Sequence, residues 1–310
     1  MVCHAFQTRE EWLQGRTAGI GGSDAPIVMG VSPYSTPLDL WLLKTGQEKP
    51  VEVQAATNRA AMMGHRLESI VAQEFAETNP WATVRDPEGF VIHECDEWPT
   101  ARATVDRHLD SAKMGPGILE IKTTSAYLAD NWGENEVPHH VMIQTQHTMW
   151  VCGVTWGAIA VLIGGRDYKQ YLITRDDSMI SLIEKCEKRF WECVEQEVQP
   201  PMVARPETAK ALERLHPDDN GQTIILPGDL FALDEEYQEL TAEQKRIDER
   251  IAQIKAEIQC QIGAATFGEL PGVARWSWKT QERSEYTAKA WRGRVLRRSS
   301  MVKKSKKKGG

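Results

Sequence analysis

Between Ala82 and Lys122 the chain abandons helical spacing for short extended runs, Gly89 to His93, Ala101 to Val105 and Ile118 to Lys122, separated by turn residues. That is strand behaviour. The last run constrains more than its own conformation. Side chains alternate across a strand, so in Ile118-Leu119-Glu120-Ile121-Lys122 the charged pair Glu120 and Lys122 shares one face, while Leu119 and Ile121 enter the core. The fold must therefore present a carboxylate and an ammonium together on a strand that is otherwise buried.

Helical patterns flank this region. Thr8 can cap a short helix through Trp12 and Leu13, Ser23 another beginning at Asp24, and Thr36-Pro37 opens a third that Gly46 closes. Residues 58–78 spell a longer amphipathic helix. Helices return at 124–134 and 138–152; Gly157 to Ile163 and Lys169 to Ile173 read as a hairpin about Gly164-Gly165; a helix then runs from Asp177 to about Val198. The expected class is α/β, a short mixed sheet flanked by helices with a C-terminal helical extension. The expected organisation is a core domain over 1–205, a linker over 206–228, a long amphipathic helix plus strand over 229–280 and a basic tail over 281–310. In the extension, Leu233, Tyr237, Leu240, Ile247, Ile251, Ile254 and Ile258 follow heptad-like spacing, with Gln244 at the polar seam position. Such a stripe either packs back on the core or pairs with another chain.

Composition excludes several classes. No apolar run is long enough to span a bilayer and the N-terminus lacks a secretory pattern, so the cytoplasm is the default compartment. Six scattered cysteines without a CxxC pair argue against a zinc ribbon, a disulfide framework or an iron–sulfur cluster, and read as reduced, mostly buried small hydrophobes. Eight histidines form no metal motif, and the 11 tryptophans fall mostly at core-facing positions. Net charge is −7, yet residues 275–310 hold 13 Lys/Arg against two Glu, which leaves −18 on residues 1–274. A basic terminus can hold phosphates, although the same run also suits a solubilising tail or, over Lys303 to Gly310, a cloning remnant.

The chemistry concentrates around Thr104-Val105-Asp106, a polar loop, and Gly117-Ile118-Leu119-Glu120-Ile121-Lys122. Two carboxylates facing each other need a cation, and magnesium prefers oxygen ligands from one or two carboxylates together with substrate phosphate. Lys122 can position or deprotonate an attacking water and stabilise developing charge. The D…ExK arrangement thus supplies what phosphodiester hydrolysis requires, though an isolated E-x-K is more often an exposed ion pair. Arg16-Thr-Ala-Gly-Ile-Gly-Gly-Ser23-Asp24 combines a cation, glycines and a helix start, which suits an anion. Glu68 sits on the 58–78 helix, and Gln144-Thr145-Gln146-His147 lies in an amphipathic helix where an exposed polar stripe is the plainer account.

Taken in order, R-x-x-x-I/G-G-S-D, G-x-x-L-E, a D before G-x-L-E-I-K, and Q-x-Q-H-x-M-W-V resemble the YqaJ-type viral recombinase family, which includes phage lambda exonuclease; the likeness covers roughly residues 8–175. The resemblance implies a PD-(D/E)XK restriction-endonuclease-like core and a Mg2+-dependent 5′→3′ exonuclease, with Mn2+ as a substitute, acting on linear double-stranded DNA ends to leave 3′ single strands. It implies Asp106 and Glu120 as metal ligands with the Ile121 carbonyl, Lys122 as the catalytic lysine, and Glu68 as the helical acid assisting the metal. Gln144 would lie near the reacting phosphate, and Arg16 and Ser23 would hold the 5′-terminal phosphate. The family's usual Ser-Pro-Asp-Gly is Thr104-Val105-Asp106-Arg107 here, and Asp110 is the alternative first ligand. A single-strand annealing or recombinase partner, a ring-shaped homo-trimer and a phage- or prophage-encoded protein in a bacterial host cell are further implications. An endonuclease or nickase with the same site, and a non-catalytic DNA-binding adaptor, are the competing readings.

Overall fold

The computed structural model describes residues 2–47, 55–282 and 296–298. These form two compact units that divide after Leu215. In the first, β1 (Val2–Phe6), α1 (Arg9–Thr17), α2 (Ala25–Val28), α3 (Pro37–Lys44) and α4 (Ala55–Thr78) precede a run of strands. These are β2 (Ala82–Arg85), β3 (Phe90–Glu94), β4 (Arg102–Ala103), β5 (Arg107–Ser111) and β6 (Gly115–Thr124). A 3-10 turn at Ala126–Asn131 and α5 (His139–Cys152) lead to the hairpin β7 (Trp156–Ile163) and β8 (Asp167–Thr174), followed by α6 (Asp177–Glu195) and α7 (Pro206–Leu215). The second unit contains α8 (Leu230–Ile262) and the hairpin β9 (Phe267–Leu270) and β10 (Ala274–Ser277).

The main sheet has the order β2-β5-β6-β7-β8, antiparallel except for the parallel β6/β7 pair that α5 bridges. This is the expected mixed sheet flanked by helices. One face of β6 and β7 packs Ile118, Ile159, Val161 and Ile163 against Val141 and Met149 of α5. The other packs Leu119, Ile121, Ala158 and Ala160 against Val71, Ala72 and Phe75 of α4. Nearly all of β7 is therefore buried, which suits a central strand with both faces covered. A smaller sheet, β1-β3-β4, carries α1 against β3 and β1.

The capping signals act as read at two helices. Thr8 and Glu11 make a reciprocal capping box on α1, as do Thr36 and Asp39 on α3. Ser23 does not cap α2: the preceding residue of that helix is Asp24, and its carboxylate turns back to accept from Gly21 N at 3.0 Å. Residues 2–6 pair with β3 as a strand rather than joining a helical N-terminus, because that edge offers free backbone groups to an extended segment. The segment after Asp106 is also extended rather than a polar loop. Arg107 to Ser111 alternates half-buried and buried side chains and pairs along β6, which reduces the true turn to residues 112–114.

The first ten residues of the expected 206–228 linker form α7, whose Ala211 is fully buried with Leu38, Trp41 and Phe190. Cysteine burial is less general than composition suggests: all six are free, Cys95 alone is buried, and Cys3 and Cys260 are exposed. Most of the basic tail, 283–295 and 299–310, lies outside the described residues.

Gly117 opens the strand that carries the charged pair, and the need for glycine there is steric. A β-carbon would come within 2.6 Å of the Trp156 ring, and the ring is anchored by its Nε1 donating to Gly115 O at 3.2 Å. Gly117→Ala is expected to cost about 1–3 kcal/mol through overpacking, a drop of several degrees in Tm for a unit of this size. Thermal unfolding followed by circular dichroism checks this, and an unchanged Tm refutes it.

Candidate active site

Register places the acids together. Arg107 pairs with Leu119, so Asp106, one residue earlier, stands beside Glu120, and its Oδ2 accepts from Ile121 N at 2.8 Å. Asp110, the alternative ligand, pairs with Pro116 at the far end of the same ladder and is engaged by Arg85. Glu120 is 3% exposed. Its Oε1 accepts from Lys122 Nζ at 2.7 Å and from Gln144 Nε2 at 2.7 Å, while Gln144 Oε1 accepts from the same Lys122 Nζ at 3.0 Å. A closed triangle of two strand residues and one helix residue results.

The charges respond to this crowding. Burial, and after it the neighbouring Glu120, pushes the Asp106 carboxyl up to about 8, against the opposing pull of Lys122 and the Ile121 amide; Glu68 adds a smaller push in the same upward direction. For Lys122, burial works against the charged form, but Glu120 and Asp106 outweigh it and raise the ammonium above its ordinary value. Lys122 is therefore a held cation, better suited to stabilising negative charge than to abstracting a proton.

Glu68 is placed less tightly than the other candidates. It lies on α4, its Oε2 is 3.0 Å from His65 Nδ1, and it reaches the site through its influence on Asp106. Among the described residues no three His, Cys, Asp or Glu side chains close into a set that could hold a metal ion. The donors that the geometry brings together are the Asp106 and Glu120 carboxylates. They fit a hard cation that keeps several waters and takes further oxygens from a phosphate. Burial first and the neighbouring Glu120 second raise the Asp106 carboxyl, and a cation placed between the two carboxylates would oppose both effects.

The glycine loop is built against this triangle. A β-carbon on Gly22 would come within 2.8 Å of Thr148 Oγ1 and 3.4 Å of Gln144 Cγ, so glycine lets the loop backbone touch the helix next to the site. The adjacent Ser23 is exposed, and its hydroxyl accepts from the Arg16 guanidinium at 3.3 Å, which also stacks 4.8 Å from the centre of the Trp12 ring. The two proposed phosphate contacts are thus together, one residue from a backbone that packs on Gln144.

Four features of this neighbourhood were not found from sequence. Lys44, its side chain 3% exposed, donates to Arg16 O at 3.0 Å and Gly19 O at 2.6 Å and pairs with Asp24 at 2.8 Å, pinning both ends of the loop. Its sequence signal, a lysine in the last turn of a helix, indicates only a favourable dipole contact. Gln146, Thr145, His147 and Thr148 are buried rather than forming a solvated stripe, because α5 is covered on all sides from Thr145 to Val151. Gln146 ties α5 to Thr174 O and Asp176 N. His147, part of the stripe whose plainer account was exposure, is fully buried with its Nε2 2.9 Å from Arg102 O and Nδ1 2.8 Å from Glu187 Oε1. With Nε2 donating to that carbonyl, one proton must lie between Nδ1 and the carboxyl, whose own protonation is favoured by burial. Finally, Tyr34 and His140 meet edge to face at 5.8 Å, and the charge of Lys122 lies close enough to both to be felt. Nothing in the local pattern around Tyr34 or in the His139-His140 pair marks them.

Two outcomes follow. Asp106 in the folded protein holds its proton to about pH 8, whereas in the unfolded chain it ionises near its ordinary value of 3.8. The folded state thus binds the extra proton between these values, and stability falls as pH rises through that window. In metal-chelated buffer, Asp106→Asn is expected to melt higher than the parent at pH 7, with the gain shrinking towards pH 4; equal melting at pH 7 refutes the charge frustration. Lys44→Met leaves Asp24 and two carbonyls without their cation and is expected to cost about 3–5 kcal/mol, read as a lower midpoint in urea, whereas an unchanged midpoint would deny Lys44 its pinning role.

Comparison with known proteins places this geometry in context. A family model described as the YqaJ-like viral recombinase domain matches residues 11–155. The YqaJ protein of Bacillus subtilis (strain 168) is 35% identical over 276 residues, spanning 88% of this chain and 83% of that protein. Among solved structures, LHK-Exo, an alkaline exonuclease from Laribacter hongkongensis, is 20% identical with a TM-score of 0.48, covering 61% of this chain and 93% of its own. A phage-related exonuclease from Haemophilus somnus 129PT is 12% identical with a TM-score of 0.39, covering 58% and 96%. With a relative of this identity and span, and with the family model matching the segment that runs from the glycine loop through α5, the chain belongs to the YqaJ-like viral recombinase family.

Proposed function

We propose that this protein is a Mg2+-dependent deoxyribonuclease that degrades linear double-stranded DNA from a 5′-phosphorylated end in the 5′→3′ direction. The remaining 3′ single strand would pass to a single-strand annealing or recombinase protein. The observation that carries this reading is the triangle of buried Glu120 with half-buried Lys122 and Gln144, and Asp106 in register beside it. An exposed ion pair would need none of this enclosure.

In this reading Asp106, Glu120 and the Ile121 carbonyl hold Mg2+, with Mn2+ as a substitute, and Glu68 adds negative charge next to Asp106. The ion, when bound, screens phosphate charge and makes a water more acidic. Lys122 carries a fixed positive charge at the position where charge develops on the phosphoryl oxygens. Gln144 holds Lys122 and Glu120 in one orientation. Arg16 and Ser23 take the terminal phosphate, because a monoester at a strand end bears more negative charge than an internal diester. Belonging to a viral recombinase family supports DNA as the substrate and the cytoplasm of a phage- or prophage-carrying bacterium as the setting. No helix among the described residues is long and apolar enough to cross a membrane. A ring-shaped homo-trimer around DNA completes the proposal.

The test is digestion of a 5′-phosphorylated linear duplex and a closed circle, with and without Mg2+. Metal-dependent loss of the linear DNA alone is expected, slowed by about a hundredfold or more in Lys122→Ala. Arg16→Ala is expected to reduce the preference for phosphorylated over 5′-hydroxyl ends. Cutting of the circle would reassign the protein as an endonuclease, and no cleavage of either substrate would leave a DNA-binding adaptor.

A further inference from the structure

The 33 residues of α8 form a helix about 50 Å long at 1.5 Å per residue, without a single buried residue. Along it runs an apolar seam whose members are largely open: Leu233 is 58% exposed, Leu240 57% and Ile251 44%. Among the described residues of its own unit, the helix packs its C-terminal Ile262 against Gly268 of β9 and ties Asp234 to Arg298, and the seam residues stay exposed. The intervals from Leu233 to Ile258 alternate four and three residues without interruption, which assigns Leu233, Leu240, Ile247 and Ile254 to d positions and Tyr237, Gln244, Ile251 and Ile258 to a positions.

The seam is symmetric about its middle. Reversed on itself, it matches Leu233 with Ile258, Tyr237 with Ile254, Leu240 with Ile251 and Gln244 with Ile247, so every a residue meets a d residue and none is left over. The flanking charges distinguish the two directions of pairing. In a parallel pair, g and e positions oppose Glu243 to Asp248 and Arg250 to Lys255, both repulsive and each occurring twice. In the antiparallel pair, Glu243 meets Arg250 and Asp234 meets Lys255, both attractive, against one repulsive combination, Glu236 with Glu257. Arg250 already lies 3.5 Å from Glu257 of its own helix, which softens that contact. Asp234 is also bound by Arg298, so each favourable pair competes with a contact inside its own chain.

We propose that α8 is a self-association element and that its occupant is α8 of a second copy of this chain, laid antiparallel so that Leu233 packs on the partner's Ile258. Gln244 would pack against the partner's Ile247, a polar residue near the centre that costs some stability and penalises shifted registers. The contact joins two copies through one helix and is independent of how the nuclease units assemble.

The direction of pairing can be read by disulfide formation in the full-length chain with exposed Cys3 and Cys260 changed to Ser. Leu233→Cys and Ile258→Cys are made in separate chains and mixed under mild oxidation. A crosslinked heterodimer is expected, since the two positions lie about 37 Å apart within one helix and meet only between antiparallel copies. A Leu233→Cys homodimer instead of the heterodimer would overturn the proposal in favour of parallel pairing. In parallel, Ile247→Lys with Ile251→Lys is expected to halve the mass of the parent assembly by light scattering. An unchanged mass together with no crosslinking would overturn self-association and leave the seam to the rest of this chain or to another protein.

Discussion

A buried carboxylate, with a second carboxylate and a lysine half-buried beside it, sets the terms for the rest of the first unit. Glu120 and Lys122 occupy positions that elsewhere on β6 belong to the apolar face packed on α5, and their desolvation is offset only because Gln144 bonds to both. Asp106 enters the same enclosure through the register of β5 on β6 and accepts a backbone amide. Its carboxyl still retains a proton well above the ordinary range. A protein selected for stability alone would replace such a cluster with apolar residues. Its presence in the middle of a well-packed sheet is the physical reason to place chemistry there.

Holding Gln144 in place requires α5 to be fixed on every side, and the polar residues of that helix do this. Gln146 bonds to the backbone between β8 and α6, and His147 bridges Arg102 O and Glu187 in a fully buried contact. Next to them the glycine loop is pinned by Lys44 at Arg16, Gly19 and Asp24. These contacts join the triangle and the Arg16–Ser23 pair into a continuous wall, with Gly22 as the point of closest approach.

The second unit follows a different logic. Among the described residues of that unit its helix leaves apolar residues uncovered along its length, a feature that calls for a partner. The charges flanking the seam, together with its internal symmetry, favour an identical copy in the reverse direction. The strongly acidic first 274 residues would keep unpaired chains apart at long range, so a contact of this kind has to be specific at short range.

The sequence by itself determined the local elements whose signals are self-contained. The capping boxes at Thr8 and Thr36, the Gly164-Gly165 hairpin, the seam of α8 and the alternation that puts Glu120 and Lys122 on one face all depend on neighbours a few residues apart. The four ordered motifs also pointed to the right family. Tertiary structure alone decided the rest. The strand at Arg107 to Ser111 exists because β6 offers it a ladder, and that register is what separates Asp106 from Asp110. Lys44, Tyr34, His140 and the His147–Glu187 pair acquire their roles from groups that are distant in the chain and close in space. Periodicity reports which face of an element is buried, but not what it is buried against, and a polar residue on a helix covered on all sides has the same spacing as one facing water.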